Sequence, residues 1–199
     1  FQFQPDSFLS VRAGVIYEPT PAQSYYVSYS TSFNPSLEQL TSTTGGSYLP
    51  PENNRGVEAG FKYELLNANL SLHAAVFSIV KNNARNANPD GTYSPVGNVQ
   101  VSGGRVNVAG RITPEWQVFG GYAYMNGVIL QGLSYQNGIG NTTGKVPLNT
   151  PRDSANLWTT YTFNETYESG GGFFYVGQRY ANNTNTVGVQ AYTRFDLTA

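Results

Sequence analysis

Hydrophobic and polar residues alternate along residues 55–81, the most regular stretch of the chain. In its first half every second position is apolar or aromatic: Val57, Ala59, Phe61, Tyr63 and Leu65. In its second half the same holds for Leu70, Leu72, Ala74 and Val76. Because successive side chains of a strand point to opposite faces, the pattern predicts two antiparallel strands joined by a tight turn at 66–69. One face of this hairpin is apolar and the other is more polar and partly charged.

Weaker versions of this alternation recur along the rest of the chain. Together with the hairpin they predict about nine strands, at 8–18, 24–33, 55–65, 70–81, 99–112, 116–128, 154–163, 171–180 and from about 190 onward. Proline and glycine break the pattern between them, as Pro19 and Pro21 do after the first strand. Strand 116–128 has aromatic residues and glycine on both faces, so its register stays open.

The predicted connections alternate in length. Short turns are expected at 19–23, 66–69, 113–115 and 164–169, and long loops at 34–54, 82–98, 131–151 and 181–189. In an up-and-down sheet, all short turns then lie at one end and all long loops at the other. Outer-membrane β-barrels have this asymmetry, whereas a Greek-key sandwich does not generally produce it.

Composition favours the membrane interpretation. Charged residues make up 12% of the chain, against about 25% in a typical soluble domain. The polar face consists mostly of Ser, Thr, Gly, Asn and Tyr, and its few charges lie opposite the apolar ribbon, as expected of groups that face a barrel lumen. A soluble all-β binding module stays open as the alternative.

Several functional classes find no support in the residues. The net charge of −1 and the lack of a basic block disfavour nucleic-acid binding. The chain has no cysteine, which excludes thiol chemistry and cysteine metal sites. The single histidine, His73, is interpreted as a strand residue on the polar face and not as a metal ligand. It has no second His or Cys as a partner and no nucleophile motif is present, so the residues give no sign of a catalytic group, a metal site or an enzyme cofactor.

Nine strands is an odd number, and bacterial single-chain barrels have an even number. No signal peptide is visible at Phe1, and the last residues continue a strand pattern. A strand that ended there would leave an unpaired edge in lipid. We therefore expect residues 1–199 to form one partial outer-membrane barrel domain, a piece of a larger barrel.

Five segments carry a family resemblance: AGVIYEPTPAQSYYVSYSTSFNPS, PENNRGVEAGFKYELLNANLSLHAAVFSI, GRITPEWQVFGGYAYM, NTPRDSANLWTTYTF and GGGFFYVGQRYANNTN. Through them the chain resembles the C-terminal part of the barrel of TonB-dependent siderophore receptors, especially the branch that handles catecholate iron chelates. The resemblance implies an all-β, antiparallel, up-and-down transmembrane barrel segment of about nine strands out of 22. The plug domain of such receptors has no counterpart in this chain.

The resemblance also implies a function and its partners. Such receptors lie in the bacterial outer membrane, in contact with its lipid, and import ferric siderophores with energy that TonB delivers through the plug domain. No enzymatic step is implied, and the ferric siderophore is transported cargo. Without a plug, this polypeptide alone is not expected to transport. An outer-membrane pore or structural barrel without coupled transport remains an alternative.

Catecholate complexes are anionic and aromatic, which suits Arg and Tyr at the loop end of the barrel. The candidate ligand-binding residues are Tyr48, Arg85, Tyr93, Tyr135 and Arg179. Each has an alternative interpretation as an aromatic-girdle or loop-packing residue. The charged residues on the strands are expected to form networks within the wall, some touching a plug: Glu58, Lys62, Glu64, Arg105, Arg111, Arg194 and Asp196.

Overall fold

The computed structural model describes residues 7–34, 50–87, 93–132, 141–164 and 166–199; the side chains of 86, 87 and 93–95 lie outside this description. Eleven β-strands occur in these ranges. They are β1 (Arg12–Thr20), β2 (Gln23–Asn34), β3 (Glu52–Leu65), β4 (Leu70–Ala87), β5 (Tyr93–Arg111), β6 (Trp116–Gly132), β7 (Asp153–Phe163), β8 (Tyr167–Val176), β9 (Arg179–Tyr180), β10 (Gly188–Val189) and β11 (Tyr192–Thr198). No helix in the described ranges is long and apolar enough to cross a membrane.

Nine of these strands form one antiparallel sheet. Its order follows the chain, from β1 through β8 to β11, so each strand pairs with the one before it. The short strands β9 and β10 pair only with each other, inside the connection between β8 and β11. The predicted all-β, up-and-down arrangement is confirmed. Its edges in this chain are β1 and β11.

The strand register confirms that the sheet has one apolar face. Val15 on β1 lies opposite Val27, and Val27 lies opposite Ala59 on β3. Ala59 in turn lies opposite Val76 on β4. The side chains of Val27, Val57 and Val76 are 55%, 50% and 63% exposed, which suits a surface in contact with hydrocarbon. We call this side the apolar face.

The opposite side, the polar face, carries the charged strand residues. Glu58, Lys62 and Glu64 alternate with the apolar residues of β3, and Lys62 lies opposite His73. Because side chains at paired positions share a face, Arg105 on β5 and Arg194 on β11 also belong here. His73 is thus a strand residue on the polar face, as predicted.

Pairing with the neighbouring strands settles the register of β6. Gly120 lies opposite Val108 on β5 and Leu157 on β7, both on the apolar face. Tyr122 and Tyr124 therefore share that face, and Phe119 and Ala123 belong to the polar face.

The prediction of a long loop at 82–98 is wrong. β4 continues to Ala87 and β5 already begins at Tyr93. The asparagine, arginine and proline residues of this stretch interrupt the alternation of apolar and polar positions. The backbone nevertheless stays paired from Lys81 opposite Val99 to Ala87 opposite Tyr93. Register shifts between Lys81 and Arg85 accommodate the irregular sequence.

Smaller corrections concern other boundaries. β1 runs from Arg12 to Thr20, not 8–18, and its turn is 21–22. β8 begins at Tyr167 and ends at Val176, not 171–180, so the preceding turn is shorter than predicted and the next connection longer. β6 reaches Gly132, four residues beyond the predicted end at 128. Backbone pairing in this sheet continues where the hydrophobic pattern stops.

The long central strands define two ends of the sheet. A strand of about 9–11 residues crosses the hydrocarbon layer, but β4, β5 and β6 contain 18, 19 and 17 residues. On the same face as Val76, the next residue toward the end of β4 is polar. It is Ser78, which accepts hydrogen bonds from Ser102 and Gln100, each at 2.9 Å. The sheet therefore continues beyond its apolar band on the side of the long connections, which we call the loop end.

Candidate functional site

A hydrogen-bonded network crosses the middle of the polar face. The Arg105 guanidinium donates to both carboxylate oxygens of Glu58 at 2.9 Å. The Tyr26 hydroxyl lies 2.6 Å from Glu58 Oε1 and 2.9 Å from His73 Nε2. Since both charges and the hydroxyl have partners, this group ties β2, β3, β4 and β5 together.

Two further ion pairs lie on the same face. Lys62 Nζ is 2.6 Å from Glu64, and Arg194 Nε is 2.9 Å from Asp196. The prediction of charge networks within the wall is confirmed for these residues and for Glu58 with Arg105. Exposed pairs of this kind contribute about 0–1 kcal/mol each, so they mainly neutralise charge on the wall.

At the loop end, Glu52 anchors the beginning of β3. Its side chain is buried, and its carboxylate lies 2.9 Å from Lys81 Nζ. The same carboxylate accepts hydrogen bonds from the backbone N–H of Arg85 at 3.0 Å and from the side-chain amide of Asn34 at 3.3 Å. β2, β3 and β4 are therefore fixed to one another beyond the apolar band.

A small apolar cluster lies beside this anchor. Ala84, Val96 and Ile129 are buried together, and Val99 packs against them. Ile129 is fully buried and comes from β6, so the cluster joins the loop-end extensions of three strands. This cluster gives the extension a core of its own and explains why the chain remains in a sheet there.

The β6–β7 connection and the β8–β11 connection are interlocked at the loop end. Asn183 Oδ1 accepts from the backbone N–H of Leu148 at 2.8 Å. Asn185 accepts from the N–H of Val146 at 2.9 Å and donates to its carbonyl at 2.8 Å. The N–H of Asn149 donates to the Tyr180 carbonyl at 2.7 Å. We call these contacts the loop clasp; in it, asparagine side chains replace the backbone partners that a strand would provide.

Arg179 projects from the loop clasp. Its Nε donates to Asn149 Oδ1 at 2.8 Å, and its guanidinium lies 5.8 Å from the centre of the Tyr192 ring. Its Nη1 is enclosed and has no hydrogen-bond partner among the described residues. The guanidinium is thus held in place by two neighbours, Asn149 and Tyr192.

Arg152 makes a comparable contact on the apolar face. Its guanidinium lies 5.2 Å from the centre of the Tyr124 ring, and Nη2 donates to the Tyr124 hydroxyl at 2.9 Å. This hydrogen bond raises the pKa of the Arg152 guanidinium above its usual value, so the charge persists at any physiological pH. It provides a comparison for Arg179 on the other side of the sheet.

The structure places three of the five predicted ligand-binding residues at the loop end. Arg85 and Tyr93 belong to the β4–β5 hairpin, where Arg85 Nη2 donates to the Pro50 carbonyl; the Tyr93 side chain lies outside the described residues. Arg179 belongs to the loop clasp, on β9 directly after β8, and β5, β6 and β7 separate β8 from β4 in the sheet. Tyr48 and Tyr135 lie outside the described residues.

Sequence reasoning did not identify the asparagines of the clasp or the aromatic neighbour of Arg179, Tyr192. The run 182–185 contains three asparagines, a composition that indicates local hydrogen bonding but not the partner. Among the described residues no group of three or more His, Asp or Glu side chains is placed to hold a metal ion. What the loop end offers is a fixed guanidinium, that of Arg179, beside the Tyr192 ring.

Comparison with known proteins identifies relatives along almost the whole chain. The protein named "Probable TonB-dependent siderophore receptor PiuA" of Acinetobacter baumannii is 31% identical over 204 residues, which cover 96% of this chain and 28% of that protein. The catecholate siderophore receptor Fiu of Escherichia coli K12 is 31% identical over 196 residues, covering 94% of this chain and 25% of Fiu. The chain therefore spans roughly a quarter of the length of these curated relatives.

Solved structures agree with the sequence comparison. The crystal structure of PiuA superposes with a TM-score of 0.82, covering 96% of this chain and 29% of that structure at 31% identity. The closed form of Fiu gives a TM-score of 0.72 over 94% of this chain and 27% of that structure at 28% identity. The family described as "TonB dependent receptor-like, beta-barrel" matches residues 1–199. This chain belongs to the TonB-dependent receptor β-barrel family.

Proposed function

We propose that this chain forms part of the wall of a receptor that imports ferric siderophores with energy delivered by TonB. The observation that carries this proposal is the similarity to siderophore receptors over nearly the whole chain, at 31% identity and a TM-score of 0.82. The exposed apolar face agrees with the bacterial outer-membrane location of this family. This membership removes the soluble all-β module from consideration.

The proposed ligand is an anionic chelate with aromatic rings, of the catecholate class. One of the relatives is named a catecholate siderophore receptor. An arginine suits such a ligand because its planar guanidinium pairs with oxyanions and stacks on rings. Arg179 is the leading contact, since Asn149 and Tyr192 orient its guanidinium at the loop end. We propose Tyr48, Arg85, Tyr93 and Tyr135 as further contacts at the loop end.

The remaining partners follow from the same proposal. The ligand contributes its own iron-binding oxygens, so this wall needs neither a metal ligand nor an enzyme cofactor, and it performs no enzymatic step. Outer-membrane lipid contacts the apolar face. TonB acts through a plug domain in another part of the receptor.

The test uses the full-length receptor in cells that lack other ferric-catecholate receptors. Uptake of ⁵⁵Fe³⁺ complexed with 2,3-dihydroxybenzoylserine is measured with and without a proton-motive force. We expect saturable uptake that stops when the force is collapsed. Uptake that persists without energy supports the pore alternative, and the absence of both binding and uptake overturns the proposal for this ligand class.

Arg179→Gln provides the residue-level test. A hydrogen bond to a charged group contributes about 1.5–3 kcal/mol, so we expect the variant to bind this chelate at least about tenfold more weakly. Arg152→Gln is the matched control, because it removes a cation from an aromatic ring on the opposite face. Equal affinities of wild type and Arg179→Gln would remove Arg179 from the site.

A further inference from the structure

A groove lies on the apolar face at the turn end, the end of the sheet opposite the loop end, where short turns join the strands. Its volume is about 880 Å³. The lining residues on the apolar face come from β6, β7, β8 and β11 and include Trp116, Thr159, Tyr161, Ser169, Gly171 and Leu197. No charged side chain lies among the described residues that line it. The groove is therefore an apolar depression in the surface that contacts lipid.

The strand register shows how the groove is built. Trp116 lies opposite Tyr161, and Tyr161 lies opposite Ser169 on β8. Two residues further along β8, Gly171 lies opposite Leu197 on β11. The two aromatic rings form one wall, Leu197 forms the other, and Ser169 and Gly171 form a low floor between them. β6, β7 and β8 each have a neighbour on both sides, so the aromatic wall and the floor do not depend on an edge strand.

Hydrogen bonds fix Trp116 as a wall of the groove. A tryptophan at a membrane interface usually directs its indole N–H toward water and the lipid headgroups. Here the indole N–H donates to Thr159 Oγ1 at 2.6 Å, and the Thr159 hydroxyl donates to the Gln117 carbonyl at 2.9 Å. Since the protein itself satisfies the indole N–H, the Trp116 ring is free to make apolar contacts with a chain in the groove.

Glycine keeps the floor low. A Cβ at Gly171 would lie 2.8 Å from Leu197 Cδ2, which is well inside the contact distance of two carbon atoms. The backbone of β8 is thus left uncovered between the aromatic wall and Leu197. A large side chain at Ser169, the other floor position, would fill the space.

The groove lies at one boundary of the hydrocarbon layer. About 9–11 residues of a tilted strand cross that layer, and the nine residues from Trp116 to Tyr124 on β6 match this length. Both residues lie on the apolar face, and aromatic side chains mark the two interfaces of membrane barrels. Trp116 is on the side of the short turns, which face the periplasm in such barrels. The groove therefore opens to the acyl chains of the periplasmic leaflet, whose lipids are phospholipids.

The charge beside the groove favours one kind of headgroup. Glu115 directly precedes Trp116, and its carboxylate accepts a hydrogen bond from the Thr113 hydroxyl at 3.0 Å. Glu115 is exposed and forms no ion pair with any described residue. Such a carboxylate attracts an ammonium group and repels an anionic headgroup.

We propose that the groove is a binding site for one acyl chain of a phospholipid with an ethanolamine headgroup. The chain lies over Ser169 and Gly171, against the rings of Trp116 and Tyr161, and the ammonium group approaches Glu115. The groove holds this lipid longer than the rest of the apolar face holds its lipids, because a chain in it contacts protein on both walls and on the floor. The proposal does not depend on which ligand the receptor imports.

Photolabelling of the full-length receptor in liposomes tests the site. The probe is phosphatidylethanolamine with a diazirine in one acyl chain, and labelled peptides are quantified by mass spectrometry. We expect peptides that contain Trp116 or Tyr161 to be labelled at least fivefold more than the peptide that contains Val15, which lies on the apolar face outside the groove. A phosphatidylglycerol probe with the same chain should label the groove at least threefold less, and Glu115→Gln should remove that difference.

Two variants alter the groove without adding a charge to the apolar face. Ser169→Leu fills the floor and Trp116→Ala removes part of a wall, so each should lower groove labelling at least threefold. The matched control is Ala13→Leu, which adds a leucine to the same face on β1 and should leave groove labelling unchanged. Heat-modifiable gel mobility verifies that each variant is folded.

Three results count against the proposal. Equal labelling of the groove and of the Val15 peptide shows a common lipid shell only and overturns the site. Receptor–receptor cross-links at Trp116 in place of lipid labelling show that a second copy covers the groove, which also overturns it. Equal labelling by the two headgroup probes overturns the assignment of ethanolamine.

Discussion

The loop clasp predicts that one asparagine controls the opening of two surface loops. Asn183→Leu removes the acceptor of the Leu148 N–H, which lies in partly buried surroundings. Leaving such a donor unsatisfied costs about 1–2 kcal/mol. Because local opening governs amide exchange, the Leu148 amide should exchange about 5- to 30-fold faster. The amides of Val146 and Asn149 should also accelerate, since they bond to the same opposing loop.

Hydrogen exchange with mass spectrometry on the full-length receptor measures this effect. The matched control is Asn182→Leu, because the Asn182 side chain bonds only within its own loop, to Thr186 and Val187. That control should leave exchange at 146–149 unchanged, and Asn183→Asp, which retains the acceptor, should resemble wild type. Unchanged exchange in Asn183→Leu, or equal acceleration in Asn182→Leu, would refute the reasoning.

Two further predictions concern the sheet itself. Val57→Arg places a charge on the apolar face at a cost of about 2–4 kcal/mol and should reduce the folded fraction in outer membranes, measured by heat-modifiable gel mobility. Glu58→Ala, one residue away on the polar face, should retain most of it, and equal losses would contradict the assigned faces. Gly97 has a φ of +103° and a Cβ there would overlap the Gln131 carbonyl oxygen, so Gly97→Ala should expose the loop end to protease. Gly144→Ala, at a φ of +81° with no atom within 4 Å, should cost only about 1 kcal/mol of backbone strain; equal protease sensitivity would argue against the close approach.

The sequence predicted the elements whose faces differ in chemistry. Around Val57 and Ala59 the alternation is strict because one face meets hydrocarbon, and the predicted pairing there is confirmed. Beyond the apolar band both faces meet polar surroundings, so the alternation disappears although pairing continues. That is why the extension at Ala84 and Val96 was predicted as a loop.

Long-range relationships were beyond the reach of the sequence for a different reason. The register of β6 depends on its neighbours, because Gly120 has no side chain to indicate a face and its partners Val108 and Leu157 do. Phe174 and Arg194 are 20 positions apart and meet only through the β8–β11 pairing. Arg194 was expected to belong to a wall network, but its contact with the Phe174 ring was not predicted.

The extension of β4, β5 and β6 beyond the apolar band has an immunological consequence. The outer surface there is sheet, with Ser78, Gln100 and Ser102 contributed by different strands to one hydrogen-bonded patch. An antibody that binds this patch recognises a conformational epitope, because the side chains of the patch are adjacent only while the strands are paired. A linear peptide copied from β5 alone presents Gln100 and Ser102 without Ser78 and should elicit antibodies that bind the denatured receptor but not intact cells.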